Sequence, residues 1–177
     1  MLAIGVLMAC GAPAQPAGGP TLPNGARPLA LKQLSLMGPI DAATDIIAST
    51  SLAQVRDAVI AHSRYDRMCT MGAGPGDRCW SQVPDELGHV YVAVITGVEC
   101  RRPTKEATGI GGSTLYFVHW IGPSQGVCNM AMEQASWRLY SATRSDLPKS
   151  GMLTVRLEYQ GSDSSAVETQ VPLMSVN

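Results

Sequence analysis

Val90-Tyr91-Val92-Ala93-Val94-Ile95 and Leu115-Tyr116-Phe117-Val118-His119-Trp120-Ile121 decide how this chain is read. Both runs are apolar at consecutive positions and rich in β-branched and aromatic residues, the pattern of strands covered on both faces. Cys100 follows the first run and Cys128 the second. If the runs pair as neighbours, the two cysteines sit at related ends of a two-strand unit that a disulfide would staple.

Outward from that core, the clearest alternation is near the C-terminus. Leu153, Val155, Leu157 and Tyr159 alternate with Thr154, Arg156, Glu158 and Gln160, which predicts a half-buried antiparallel strand. Gly161-Ser162-Asp163-Ser164-Ser165 turns the chain, and Val167 to Val171 returns as the second arm of a hairpin stopped by Pro172. Trp137-Arg138-Leu139-Tyr140 reads as a short strand, and Leu29 to Met37 as an edge strand or an irregular lead-in.

One helix is expected. Ser51 with Gln54 three residues on is a capping-box pattern, and Leu52, Val55, Ala58, Val59 and His62 share one face at helical spacing. Its end is expected at about Tyr65 or Arg67. The expected fold class is therefore α+β: a mainly antiparallel β-sheet or small β-sandwich with one N-terminal helix, stapled by disulfides.

Length and composition agree with a single domain. The chain has 177 residues, a formal net charge of −1 and 15% charged residues, against about 25% in ordinary soluble domains. Its longest basic run is the pair Arg101-Arg102, too little for a surface that tracks phosphates, so no nucleic-acid partner is expected.

Residues 1–9 are almost wholly apolar and lead into Leu7-Met8-Ala9-Cys10-Gly11. This resembles the lipobox of bacterial lipoproteins, with a Leu three residues before the Cys and a small residue directly before it. The resemblance implies cleavage before Cys10, lipidation of Cys10, and a location on the extracytoplasmic side of a membrane (outer membrane or cell surface), with secretion as the alternative. No Lys or Arg precedes the apolar run, so the natural start is expected upstream. Residues 10–28, rich in Ala, Pro and Gly with Arg27 as their one charge, read as a tether. Residues 29–177 then form the extracytoplasmic domain.

With Cys10 assigned to a lipid, four cysteines remain. Three pairings are possible, and nearness favours Cys69 with Cys79 and Cys100 with Cys128. Closing the longer of those loops would contribute roughly 3 to 4 kcal/mol through chain entropy.

The search for chemistry is mostly negative. Cys69 to Cys79 encloses a Gly-rich stretch, but no Lys-Ser/Thr follows its last Gly and Pro75 removes an amide, so it reads as a disulfide-closed turn and not a phosphate loop. Its spacing does not suit zinc either, and no metal or cofactor is expected. Gly122-Pro123-Ser124-Gln125-Gly126 resembles the nucleophile elbow of α/β-hydrolases, but the triad of that family needs a His after the Ser and none follows His119. No catalytic set is expected.

Arg101, Arg102 and Lys105, on a connection read as a long exposed loop, are the candidate binding residues. In layout the chain is similar to the small exported β-domains of bacterial lipoproteins, including those that stabilise protease complexes. The expected function is a non-enzymatic binding or interaction module of the cell envelope, anchored by lipid and meeting an envelope protein. The rival expectation is a small extracytoplasmic hydrolase using His119 or His89.

Overall fold

A computed structural model describes residues 18–40, 43–62, 80, 83–96, 105–122, 135–161 and 164–174. Nine strands and one α-helix lie among them: β1 (Arg27–Pro28), β2 (Lys32–Ile40), β3 (Asp45–Ser49), α1 (Leu52–Ala61), β4 (His89–Thr96), β5 (Lys105–Gly111), β6 (Thr114–Trp120), β7 (Ala135–Thr143), β8 (Gly151–Gln160) and β9 (Val167–Leu173). They form a five-stranded sheet in the order β1-β5-β6-β8-β9 and a four-stranded sheet in the order β2-β7-β4-β3. The fold is a β-rich α+β arrangement.

The two apolar runs are β4 and β6, and they are not neighbours. Each lies inside a different sheet, and they face one another across the core. Both are covered on two sides, which is why neither alternates. Val90, Val92 and Val94 of β4 point into the space between the sheets, where they meet Leu115 and Phe117 of β6 and Leu153, Val155 and Leu157 of β8. Tyr91, Ala93 and Ile95 point the other way, into a second cluster with Leu52, Val55 and Val59 of α1 and with Trp80, Trp137 and Leu139. Fully burying one such side chain contributes about 1.5 to 3 kcal/mol, so these two clusters hold the three layers together.

Strand β7 is central and longer than expected. Trp137 and Leu139 face the helix layer, with Trp137 stacked on Trp80 at 5.3 Å between ring centroids, while Tyr140 and Ala142 face the inter-sheet core. The terminal hairpin of β8 and β9 is as its alternation predicts, with Leu157 opposite Val167 and Leu153 opposite Val171. Among the described strand pairs, β6 and β8 alone run parallel, with β7 of the other sheet intervening in sequence.

The connection read as a long loop is half strand. Residues 105–111 pair with β6 in a hairpin whose turn is Gly112-Ser113, and the φ of 57° at Gly112 is a conformation that glycine adopts without steric cost. Ile110 opposite Leu115 fixes its register.

Helix α1 is shorter than its sequence pattern suggests, with His62 as its C-cap. The capping box is present in relayed form. Ser51 Oγ accepts from the Gln54 amide at 3.4 Å, and Ser49 Oγ links the Gln54 side chain (2.6 Å) to the Ser51 amide (3.1 Å).

Residues 18–28, grouped by composition with the tether, lie across the outer face of the five-stranded sheet. Gly18 rests on the Trp120 indole, the Thr21 backbone exchanges two hydrogen bonds with the Gln160 side chain (2.8 and 2.7 Å), and Leu22 fits over Gly109. A turn at Pro23 to Ala26 reverses the chain into β1, which pairs with β5. This segment covers part of the outer face of the sheet, at Trp120 of β6 and Gly109 of β5.

Candidate functional site

Four polar side chains converge at the end of the sandwich where β4 and β6 finish. Glu106 stands opposite His119 in the β5 and β6 register, so both point between the sheets. Arg138 and Tyr140 come to the same place from β7, one and three residues after Trp137, on the face that alternation turns away from the helix. The Glu106 carboxylate accepts from the Arg138 guanidinium at one oxygen and from the Tyr140 hydroxyl at the other, the latter at 3.1 Å. It is a contact between the two sheets as well as among three residues.

His119 lies deepest, 3% exposed, with its ring edge-on to Tyr159 at 5.5 Å. Its Nε2 is 3.8 Å from Glu106 Oε1, beyond hydrogen-bonding reach, and neither ring nitrogen has a hydrogen-bond partner among the described residues. Burial holds its pKa below the ordinary histidine value; Glu106 opposes that shift and Arg138 adds to it. His119 is therefore the neutral imidazole at neutral pH, with one ring N–H and one acceptor nitrogen.

The neighbours titrate in the opposite direction. Burial, then the Glu106 charge, pushes the Tyr140 hydroxyl up to about 12. Burial works against the charge on Arg138, but Glu106 and Tyr140 outweigh it and raise the guanidinium. At neutral pH the cluster is one paired charge beside a neutral base. It can grip a polar or charged group at the Arg138 side, which is 46% exposed, and offers a hydrogen-bonding imidazole further in.

The residues singled out in the sequence are placed unevenly. Lys105 opens β5 at this same end, where its Nζ donates to the Gly18 carbonyl at 3.2 Å and so pins the N-terminal segment. Arg101 and Arg102 lie outside the described residues, as do Cys10, Cys69, Cys79, Cys100, Cys128 and Ser124. His89 is at the opposite end of the sandwich, with Nε2 3.2 Å from Glu86 Oε2, so it does not share a site with His119. His62 sits on the helix, its Nε2 3.3 Å from Asp45 and its Nδ1 2.8 Å from the Ala58 carbonyl. Among the described residues no group of three or more His, Cys, Asp or Glu side chains is arranged to hold a metal.

Glu106, Arg138 and Tyr140 are the members that the sequence reading missed. The signal was present for two of them: once Trp137 and Leu139 are assigned to one face of a strand, Arg138 and Tyr140 must share the other. Glu106 had none, because its strand was read as loop.

Comparison with protein families, with curated proteins and with solved structures finds no match. Function has to be argued from the residues.

Proposed function

We propose that this protein is a cell-envelope lipoprotein, acylated at Cys10, whose β-rich domain is a non-enzymatic binding module. The observation that carries the binding half is the Glu106 and Arg138 pair at one end of the sandwich, part-exposed and tied to the Tyr140 hydroxyl. Lys105, one of the three basic residues chosen from sequence, is at that end. The partner is an envelope protein or ligand that presents acidic or hydrogen-bonding groups.

The anchoring half rests on the lipobox at Leu7 to Cys10. The disulfide assignment, Cys69 with Cys79 and Cys100 with Cys128, belongs to the same reading. It is supported by β4 and β6, the strands that precede Cys100 and Cys128, finishing at the same end of the sandwich even though they lie in different sheets. Unreduced peptide mapping by mass spectrometry tests the bridges, and free thiols at all four positions would remove the export argument.

The test of function is cross-linking in native membranes followed by affinity purification, with Cys10→Ala and Arg138→Ala beside the full-length chain. The expected result is one dominant partner, lost in both variants. No partner with any of the three chains would overturn the binding reading.

His119 favours a second reading, a small hydrolase in which this buried, neutral imidazole is the base beside Glu106. A hydrolase activity that survives His119→Ala would dispose of it.

A further inference from the structure

The N-terminal segment enters the sandwich at a defined place. Gly18 lies flat on the Trp120 indole, so close that there is no room for a Cβ; the Lys105 Nζ donates to its carbonyl at 3.2 Å, and Thr21 is held by Gln160 at two points. Trp120, Lys105 and Gln160 are register partners at one end of the five-stranded sheet. That end is also the one that holds Glu106, His119 and Arg138. From there the segment runs to Ala26 against Gly111, near the opposite end, before it turns back.

The seven residues Gly11 to Ala17 separate Cys10 from this fixed point. Fully stretched, the eight Cα steps from Cys10 to Gly18 span about 28 Å. Strand β4, with eight residues, is about 26 Å long, so a lipid on Cys10 could meet the opposite end of the sandwich only with those eight steps almost fully extended.

On the reading that Cys10 carries the lipid, we propose that the Trp120 end of the sandwich is a membrane-facing surface, and that the Glu106, Arg138 and Lys105 groups work within a few nanometres of lipid headgroups. The envelope partner of the Glu106 and Arg138 pair is then one that lies at the membrane plane, not one that meets only the far end of the domain.

The test uses the full-length acylated chain in vesicles of phosphatidylethanolamine and phosphatidylglycerol. A photo-crosslinking side chain replaces Ser136, exposed at the Trp120 end, or Ser150, exposed at the other. Lipid adducts are quantified after the acyl group on Cys10 has been verified by mass. About fivefold more lipid adduct from Ser136 than from Ser150 is expected, and a twenty-residue Gly/Ser insertion before Gly18 brings the two towards equality by lengthening the leash. Equal adducts from both positions in the acylated, uninserted chain overturn the orientation. No acyl group on Cys10 overturns the anchoring reading and the orientation with it.

Discussion

Glu106 of the five-stranded sheet and Arg138 of the four-stranded sheet meet at the end of the sandwich where Trp120 and Thr96 lie, one carboxylate bridging the two layers. The pair is not deeply buried, with side-chain exposures of 30% and 46%, so the charge itself is worth little in water. What Glu106 supplies beyond charge is an acceptor for the buried Tyr140 hydroxyl.

That separation gives a first expectation. Glu106→Gln keeps an acceptor for Tyr140 and should cost no more than about 1 kcal/mol, the range of an exposed pair. Glu106→Ala leaves the Tyr140 hydroxyl unpartnered and should cost roughly 2 kcal/mol. Urea unfolding of both variants measures it; equal losses would mean that Tyr140 does not depend on Glu106.

Acid should loosen this fold through His119. A histidine whose pKa is lowered in the folded state binds its proton more readily when unfolded, so stability is fully present above the unfolded value near 6.5 and falls as pH drops below it. The urea midpoint of the wild type is expected to fall between pH 7.5 and pH 5, and that of His119→Gln to fall less. Identical pH profiles for the two proteins would exclude His119 as the group responsible.

The opposite limb belongs to Tyr140. Its hydroxyl is raised from 10.0 to about 12, so its contribution is fully present below pH 10 and is lost as pH rises towards 12. Ultraviolet titration should show Tyr140 among the phenols that ionise late in the native protein, with Tyr91 also raised by burial, and Tyr140→Phe should remove one of them. A wild-type titration that matches the variant would place the late phenol elsewhere.

Gly109 gives a test of the docked segment. A Cβ at this position would stand 2.6 Å from Leu22 Cδ1 and 2.8 Å from the Arg27 carbonyl oxygen, whereas one at Gly19 meets nothing nearer than Lys105 Cδ at 3.8 Å. Gly109→Ala should speed hydrogen exchange across residues 20–28, and Gly19→Ala should leave it unchanged. Equal exchange in the two variants would show that the segment does not depend on this close approach.

In the core, Phe117 is 1% exposed and meets Tyr140 edge-to-face at 5.3 Å between centroids. Phe117→Ala should cost about 3 to 5 kcal/mol by thermal or urea unfolding, a large share of the 5 to 15 typical of a domain. A loss below about 1 kcal/mol would show that the sheets repack around the gap.

Periodicity made some of this fold legible and could not reach the rest. The alternation of Leu153 to Tyr159 located β8 and its inward face, and the Ser51 to Gln54 spacing located the start of the helix. The density of Val90 to Ile95 correctly implied two covered faces. What such density cannot encode is the partner, because a strand buried on both sides carries no mark of which sheet it joins; hence β4 and β6 looked like neighbours. The site was hidden for a related reason. Glu106 and Arg138 lie in different sheets and 32 positions apart, and charged residues in short polar stretches read as surface until the strand directions are known. The Gly and Pro content of residues 18–28 likewise conceals docking, since small residues are what lets a chain lie flat on Trp120 and Gly109.

The two hydrogen bonds between Thr21 and Gln160 join points 139 residues apart in the chain. A ribosome makes Thr21 early and Gln160 near the end, so the two ties that hold the N-terminal segment to β8 form only once that strand has emerged. The parallel pairing of β6 with β8 imposes the same wait, because β7 must find the other sheet before β8 can return. Contacts so distant in sequence make folding slow, on a scale of milliseconds to seconds for β-rich domains. A polypeptide whose five-stranded sheet lacks β8 until residue 160 has emerged stays incompletely folded for most of its synthesis.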